Sequence, residues 1–166
     1  MSIFKLPEKL KKKAIKPAGR AQQLKQQSTP VIDPETATPA DLERMAMEAM
    51  SDLSKKFPAW ASGDVQKVKD YLNQLNGIFG KDRTDFLRTK IYPKVHDLKG
   101  QGTTFGYPLI TDIGAHMCQL ITSKTSFSTS DVTRLKNDAQ MMETVLWKKL
   151  KGDGGEKGAE ILRKLR

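Results

Sequence analysis

Apolar residues recur three and four positions apart through several successive segments, a spacing that places them on one face of an α-helix. No stretch alternates apolar and polar residues in the manner of a β-strand. Because the connections are short, the predicted fold class is all-α: an up-and-down antiparallel four-helix bundle plus an additional N-terminal helix, with mobile tails. The five predicted helices cover about residues 38–57, 63–80, 82–106, 109–121 and 131–150.

Capping residues and helix breakers set the predicted boundaries of the first two helices. Thr38 can cap the first helix, Pro39 suits its first position, and Asp41 completes an approximate capping box. Pro58 is predicted to stop this helix, and Gly63 to start the next. The apolar face of the first helix is expected to contact the core; it comprises Leu42, Met45, Ala46, Ala49, Met50, Leu53 and Phe57.

The net charge of +10 is concentrated at the two ends of the chain. Residues 1–25 carry eight basic residues and one acidic residue, and residues 148–166 carry seven basic and three acidic. The stretch between them is nearly neutral, with fourteen basic and fifteen acidic residues, which argues against an electropositive nucleic-acid platform in the core. The predicted domains are a basic mobile tail over 1–37, a helical bundle over 38–150, and a short basic segment over 151–166.

Several classes of protein are disfavoured by what the sequence lacks. A single cysteine, Cys118, cannot form an internal disulfide framework or a thiolate metal site alone, and it is expected to be a small buried hydrophobe. The sequence contains neither a long uncharged apolar stretch nor a signal-peptide pattern, which predicts a cytoplasmic protein. It also contains no P-loop or dinucleotide fingerprint, so we expect no phosphorylation of the protein by itself from ATP.

The third predicted helix carries an outward-facing histidine. At ~100° per residue, His96 lies opposite the arc of apolar residues, and Tyr92, Lys99, Gly100 and Thr103 share its surface. The core arc comprises Leu87, Ile91, Val95, Leu98 and Phe105. Gly100 and Gly102 each cost about 1 kcal/mol inside a helix, so the helix is expected to gain something from the missing side chains. Pro93 is expected to kink this helix or to mark its restart.

The chemistry of an exposed imidazole fits a phosphoryl carrier. Histidine is partly uncharged at neutral pH, so one ring nitrogen can act as a nucleophile. Lys99 is placed to offset the roughly −1.5 to −2 charges that a phosphoryl group brings. Gly100 would leave a bare patch through which a loop of another protein could approach for in-line transfer.

The residues from His96 to Gly106 resemble the H-x-L-K-G-x-x-x-x-x-G signature of histidine phosphotransfer (HPt) domains. The surroundings, Phe86-Leu87-Arg88 and Phe105-Gly106-Tyr107-Pro108-Leu109, are also similar to small stand-alone bacterial members, and the resemblance covers about residues 38–150. The position where many members have a small hydroxyl residue is Gly102 here.

The resemblance implies a function and a set of roles. It makes His96 the phosphoacceptor, Lys99 the residue that stabilises phosphate charge, and Gly100 the clearance for a receiver domain. The partners would be receiver domains and a hybrid or sensor histidine kinase in a two-component phosphorelay. This chain would bind no cofactor, and the receiver would supply the aspartate and Mg²⁺. Specificity is expected from exposed neighbours of His96, which comprise Arg88, Tyr92, Gln101, Thr103 and Thr104.

Two other functions remain open from the sequence. The basic ends could dock on nucleic acid or an anionic membrane while the bundle provides only structure. An HPt-like bundle could also inhibit a kinase or receiver by binding without transfer. His116 is expected to be a packed or hydrogen-bonded histidine, with no metal site because too few ligands accompany it. A complete bundle needs no second copy, so we expect a monomer.

Overall fold

The computed structural model describes residues 37–165, and these are entirely helical apart from their connections. The predicted mobile tail lies outside the described residues, except for Ala37. The α-helices are α1 (Pro39–Gln74), α2 (Gly80–Phe86), α3 (Tyr92–Gly102), α4 (Pro108–Ser123), α5 (Thr129–Trp147) and α6 (Gly155–Leu165). A π-helical turn over Leu87–Ile91 joins α2 to α3, and a 3-10 turn over Thr103–Phe105 follows α3.

The first helix does not end at Pro58, so the predicted break and the separate N-terminal helix are wrong. Helix α1 passes through both Pro58 and Gly63 and continues to Gln74. Proline inside a helix costs about 3 kcal/mol. Phe57 and Ala61, on either side of Pro58, are both buried in the core, and this packing offsets the lost backbone hydrogen bond.

The start of α1 also departs from the prediction, because its apolar face is not buried. Leu42 is 54% exposed and Met50 is 42% exposed. Burial along this face begins at Phe57, one turn after the Ser54 hydroxyl donates a hydrogen bond of 2.8 Å to the carbonyl of Phe105. Helical periodicity identified an apolar face correctly, but no other described element covers its first four turns.

The segment before His96 confirms the expectation that Pro93 disturbs its helix. The π-helical turn ends at Ile91, directly before the turn that contains Pro93. Proline donates no backbone hydrogen bond, and an irregular turn accommodates the loss. Four members of the predicted core arc are fully buried and Phe105 is half-buried against them; the four are Leu87, Ile91, Val95 and Leu98.

Where two helices are joined by polar contacts, residues later in one helix meet residues earlier in the other. Helix α1 meets α5 through Lys69 and Glu143 at 2.8 Å, and Asn76, just after α1, accepts a hydrogen bond of 3.2 Å from Lys136 of α5. The contacts of α1 with residues in and next to α3 have the same reversed order. So do the contacts that join α3 and its flanking residues to α4 and its flanking residues. The remaining pairs are Ser54 with Phe105, Asp64 with Lys94, Lys99 with Thr111, and Thr84 with Thr125.

Arg83 is buried, and its guanidinium connects two loops through hydrogen bonds. Its Nε donates a hydrogen bond of 2.7 Å to the carbonyl of Ile78, and its Nη1 donates one of 2.9 Å to the carbonyl of Phe127. The Phe79 ring lies 4.8 Å from the guanidinium carbon. Arg83 thus joins the connection before α2 to the connection between α4 and α5.

The C-terminal segment is not a mobile basic tail. Residues Gly155–Leu165 form α6, in which Ile161 is buried and Leu162 and Leu165 are half-buried against the core. A side chain at Gly158 would collide with the backbone of Asp153, so this turn requires glycine. The four-residue spacing of Ile161 and Leu165 provides one apolar face, which is sufficient to dock the helix.

Within residues 37–165, no helix combines the length and the apolar character needed to cross a bilayer.

Candidate functional site

His96 lies on the exposed side of α3, as the helical periodicity predicts. Its imidazole has no hydrogen bond or ion pair with any other residue in 37–165. The ring of Tyr92, one turn earlier, lies 5.7 Å from it between centroids, with 34° between the two planes. One aromatic contact therefore borders the imidazole, and neither of its ring nitrogens is engaged by a described side chain.

Lys99 is half-buried one turn after His96, and its backbone is held against α4. Its carbonyl accepts a hydrogen bond of 2.9 Å from the Thr111 hydroxyl. A Cβ added to Gly114 would lie 2.9 Å from the Lys99 Cβ, so glycine at that position allows the two helices to approach. The ammonium forms no ion pair with a described carboxylate, which leaves it able to accompany an anion on the surface of α3.

Two glycines near His96 occupy opposite environments. Gly100 is exposed, and a Cβ built there would meet nothing within 4 Å. Gly102 is buried, and its Cβ would lie 2.6 Å from the Thr111 hydroxyl and 2.7 Å from the Thr111 backbone nitrogen. Gly102 therefore serves the contact between helices, whereas Gly100 leaves bare backbone on the surface that carries His96.

Three residues in the last turn of α3 and in the 3-10 turn after it have side chains at the surface. Gln101, Thr103 and Thr104 are exposed. The backbone nitrogen of Thr103 donates to the Thr111 hydroxyl at 2.9 Å, and the two threonine hydroxyls are 2.9 Å apart. Thr111 thus holds the end of α3 through three hydrogen bonds. The prediction missed this residue, because nothing in a one-dimensional pattern marks a threonine that bonds to another helix.

Arg88 connects the exposed surface before α3 to the connection between α4 and α5. Its Nη2 donates a hydrogen bond of 2.8 Å to the carbonyl of Lys124. The Lys124 ammonium lies 2.5 Å from Asp131, which also forms a capping box with Ser128 at the start of α5. The hydrogen bond from Lys124, followed by those from Ser128, lowers the pKa of Asp131 to about 2.

His116 has a buried carboxylate partner, which confirms that it is a hydrogen-bonded histidine. Its Nδ1 lies 2.8 Å from Oδ2 of Asp138, with 18% of the histidine side chain and 3% of the aspartate side chain exposed. Burial raises the pKa of Asp138, and the neighbouring charges of His116 and Arg134 counteract that effect only in part. The histidine on α4 is therefore committed to a contact inside the fold.

Cys118 is buried, as predicted, and burial raises the pKa of its thiol despite the opposing effect of the nearby Lys99 charge. Among residues 37–165, no group of three or more histidine, cysteine or carboxylate side chains is arranged to hold a metal ion.

Comparison of the chain with protein-family models, with curated proteins and with solved structures finds no match.

Proposed function

We propose that this protein is a histidine phosphotransfer protein that accepts a phosphoryl group on His96 and exchanges it with the aspartate of receiver domains. The observation that carries the proposal is an exposed imidazole without a described hydrogen-bond partner, followed one turn later by Lys99 and by the open surface at Gly100. The resemblance of residues His96–Gly106 to the HPt signature supports it.

The finer architecture belongs to the same proposal. Helices α1, α3, α4 and α5 would form an up-and-down antiparallel four-helix bundle, with α2 and α6 packed at its ends. The reversed order of the contacts between helices supports this arrangement. In such a bundle one helix can present a whole exposed face to a partner while its opposite face anchors it.

Phosphoryl transfer at this site requires little covalent participation by other residues. The unprotonated ring nitrogen of His96 attacks phosphorus, the bond from phosphorus to the receiver's carboxylate oxygen breaks, and the electron pair leaves with that carboxylate. The ammonium of Lys99 offsets the charge of the group on the imidazole. The receiver's Mg²⁺ offsets charge on the other side, and the chain acts as a carrier without autokinase activity.

Tyr92 would act as a positioning residue for this reaction. Its ring lies against the imidazole of His96 and limits the orientations that the imidazole can adopt. The exposed residues around it would then select the receiver, which keeps Arg88, Tyr92, Gln101, Thr103 and Thr104 as proposed partner contacts.

The deciding experiment incubates the purified protein with radiolabelled phosphorylated receiver domains. We expect label on the protein that is labile in acid and stable in base, and that disappears completely in His96→Gln. The matched control is His116→Gln, which removes the only other imidazole and should retain label under conditions where its helical circular dichroism is intact.

Two results would refute the assignment. Label of equal strength in His96→Gln would place the phosphoryl group elsewhere. A protein that takes no label from any receiver of its source organism, yet slows receiver or kinase reactions equally with and without His96, would be a docking inhibitor.

A further inference from the structure

The first half of α1 presents an apolar surface that no other element of residues 37–165 covers. We call it the uncovered face, and it comprises Ala46, Met47, Met50 and Leu53. Met47 is 64% exposed and Met50 is 42% exposed. Ala46 is exposed and Leu53 is half-buried. Four neighbouring apolar side chains at helical spacing form a continuous patch, unlike single exposed apolar residues.

The uncovered face continues the buried face of the same helix. At ~100° per residue, Met50 lies within about 20° of Phe57 and Ala61, which are both buried. Cover ends near Ser54, where the turn after α3 reaches α1 through the carbonyl of Phe105. The apolar face of α1 therefore continues beyond the part that packs on the core. Such an extension is typical of a helix on which a further helix packs.

We propose that a second copy of this chain covers the uncovered face, with the two α1 helices packed antiparallel about a twofold axis. Pairing Met47 of one copy with Met50 of the other brings Glu43 of the first beside Ser54 of the second. One lysine lies at that point: Lys151, whose ammonium is 3.3 Å from the Ser54 hydroxyl. Glu43 lies in phase with Met50 on the helix, so the acidic end of each face meets the basic end of the other.

The symmetry favours a second copy over an unrelated protein. A twofold axis makes every contact occur twice, so Glu43 and Lys151 alone provide charge complementarity at both ends. Methionine side chains adapt to irregular surfaces, and the small side chain of Ala46 permits close approach of the helix backbones. The expectation of a monomer, which assumed a fully covered bundle, is replaced by this proposal.

The predicted affinity is modest because the face is short. A specific interface buries about 1,000 Å² in total at its lower limit, and four apolar side chains per copy make this interface a small one. We therefore expect a Kd of ~10–100 µM for the dimer.

Analytical ultracentrifugation of the full chain tests the proposal without any phosphoryl donor. Between ~1 µM and ~500 µM, the mass should rise from 18.6 kDa towards twice that value. The double variant Met47→Glu, Met50→Glu should remain monomeric with unchanged helical circular dichroism, since both side chains are exposed. The matched control is Trp147→Glu, which alters a 78% exposed apolar residue on α5 and should dimerise normally.

Charge reversal tests the antiparallel register. Glu43→Lys alone, and Lys151→Glu alone, should each weaken self-association at least tenfold, and mixing the two proteins should restore a heterodimer. A constant monomer mass at all concentrations would overturn the proposal. So would a dimer that survives the methionine substitutions, or one that the charge variants neither weaken nor restore on mixing.

Discussion

The two histidines of this chain lie on adjacent helices and have opposite surroundings. His96 on α3 is exposed, with one aromatic contact and no described hydrogen bond, whereas His116 on α4 bonds a buried carboxylate. An imidazole that acts as a nucleophile needs an accessible ring nitrogen, whereas a buried imidazole that stabilises the fold needs its ring nitrogens hydrogen-bonded. The contrast shows that the surroundings of each side chain, rather than its chemical type, separate a candidate reactive group from a residue that stabilises the fold.

The same contrast recurs for glycine and for aspartate. Gly100 borders open space while Gly102 is enclosed by α4, and Asp131 is held by a surface lysine while Asp138 is buried. Each pair offers a substitution in the interior together with a matched substitution at the surface.

The largest effect on stability is expected from removing the carboxylate that His116 bonds. Asp138→Ala leaves a largely buried imidazole without its partner, and we expect it to lower the free energy of unfolding by about 3 kcal/mol. The surface control Asp97→Ala, beside His96, should change it by less than about 0.5 kcal/mol. Urea denaturation followed by circular dichroism measures both, and equal losses would show that the Asp138 contact contributes nothing specific.

A smaller effect is expected from the two glycines. Gly102→Ala places a methyl group 2.7 Å from the Thr111 backbone nitrogen, and we expect a loss of about 2 kcal/mol as the helices separate. Gly100→Ala should instead stabilise the protein by up to about 1 kcal/mol, because alanine favours the helix and space is open. The prediction fails if thermal denaturation shows both variants shifted in the same direction.

The smallest effect is a difference in pH dependence between two carboxylates of α5. The folded-state pKa of Asp131 is lowered to about 2, so its stabilising contribution is full at neutral pH and fades as the pH falls from the ordinary carboxyl range towards 2. The folded-state pKa of Asp138 is raised, so its ionisation costs stability as the pH rises from the ordinary range through the raised value.

The two asparagine variants measure this difference. Relative to the unsubstituted protein, Asp131→Asn should lose its disadvantage as the pH falls, and Asp138→Asn should gain relative stability as the pH rises through the window above the ordinary carboxyl range. Denaturation midpoints from pH 3 to pH 7 provide the comparison, and parallel pH profiles for the two variants would contradict it.

Helical periodicity was sufficient to predict the surroundings of His96. Leu87, Val95 and Leu98 are buried and His96 is exposed, because a helix with one apolar face has a determined orientation once that face meets a core. The packing role of Gly102 was not predictable, since it depends on where Thr111 of another helix lies.

Periodicity was insufficient along α1. Pro58 and Gly63 are local signals for a break, yet burial of Phe57 and Ala61 overrides them. The apolar spacing before Pro58 identified a packing face. It could not identify what packs against that face, because the spacing depends on one helix alone and the packing depends on where the other helices lie. The same limitation applied to α6, whose basic composition concealed an apolar edge at Ile161.

The π-helical turn at Leu87–Ile91 has a consequence for any change in chain length near the candidate site. Such a turn accommodates about one extra residue, so the angle of about 80° that an unbroken α-helix would put between Leu87 and Val95 becomes smaller, and both side chains are fully buried. Deleting a single residue between Arg88 and Lys90 would allow the turn to revert to an ordinary α-helix with His96 still outward. The π-helical turn therefore tolerates the loss of one residue, whereas a deletion between Tyr92 and His96 would rotate the imidazole by about 100°.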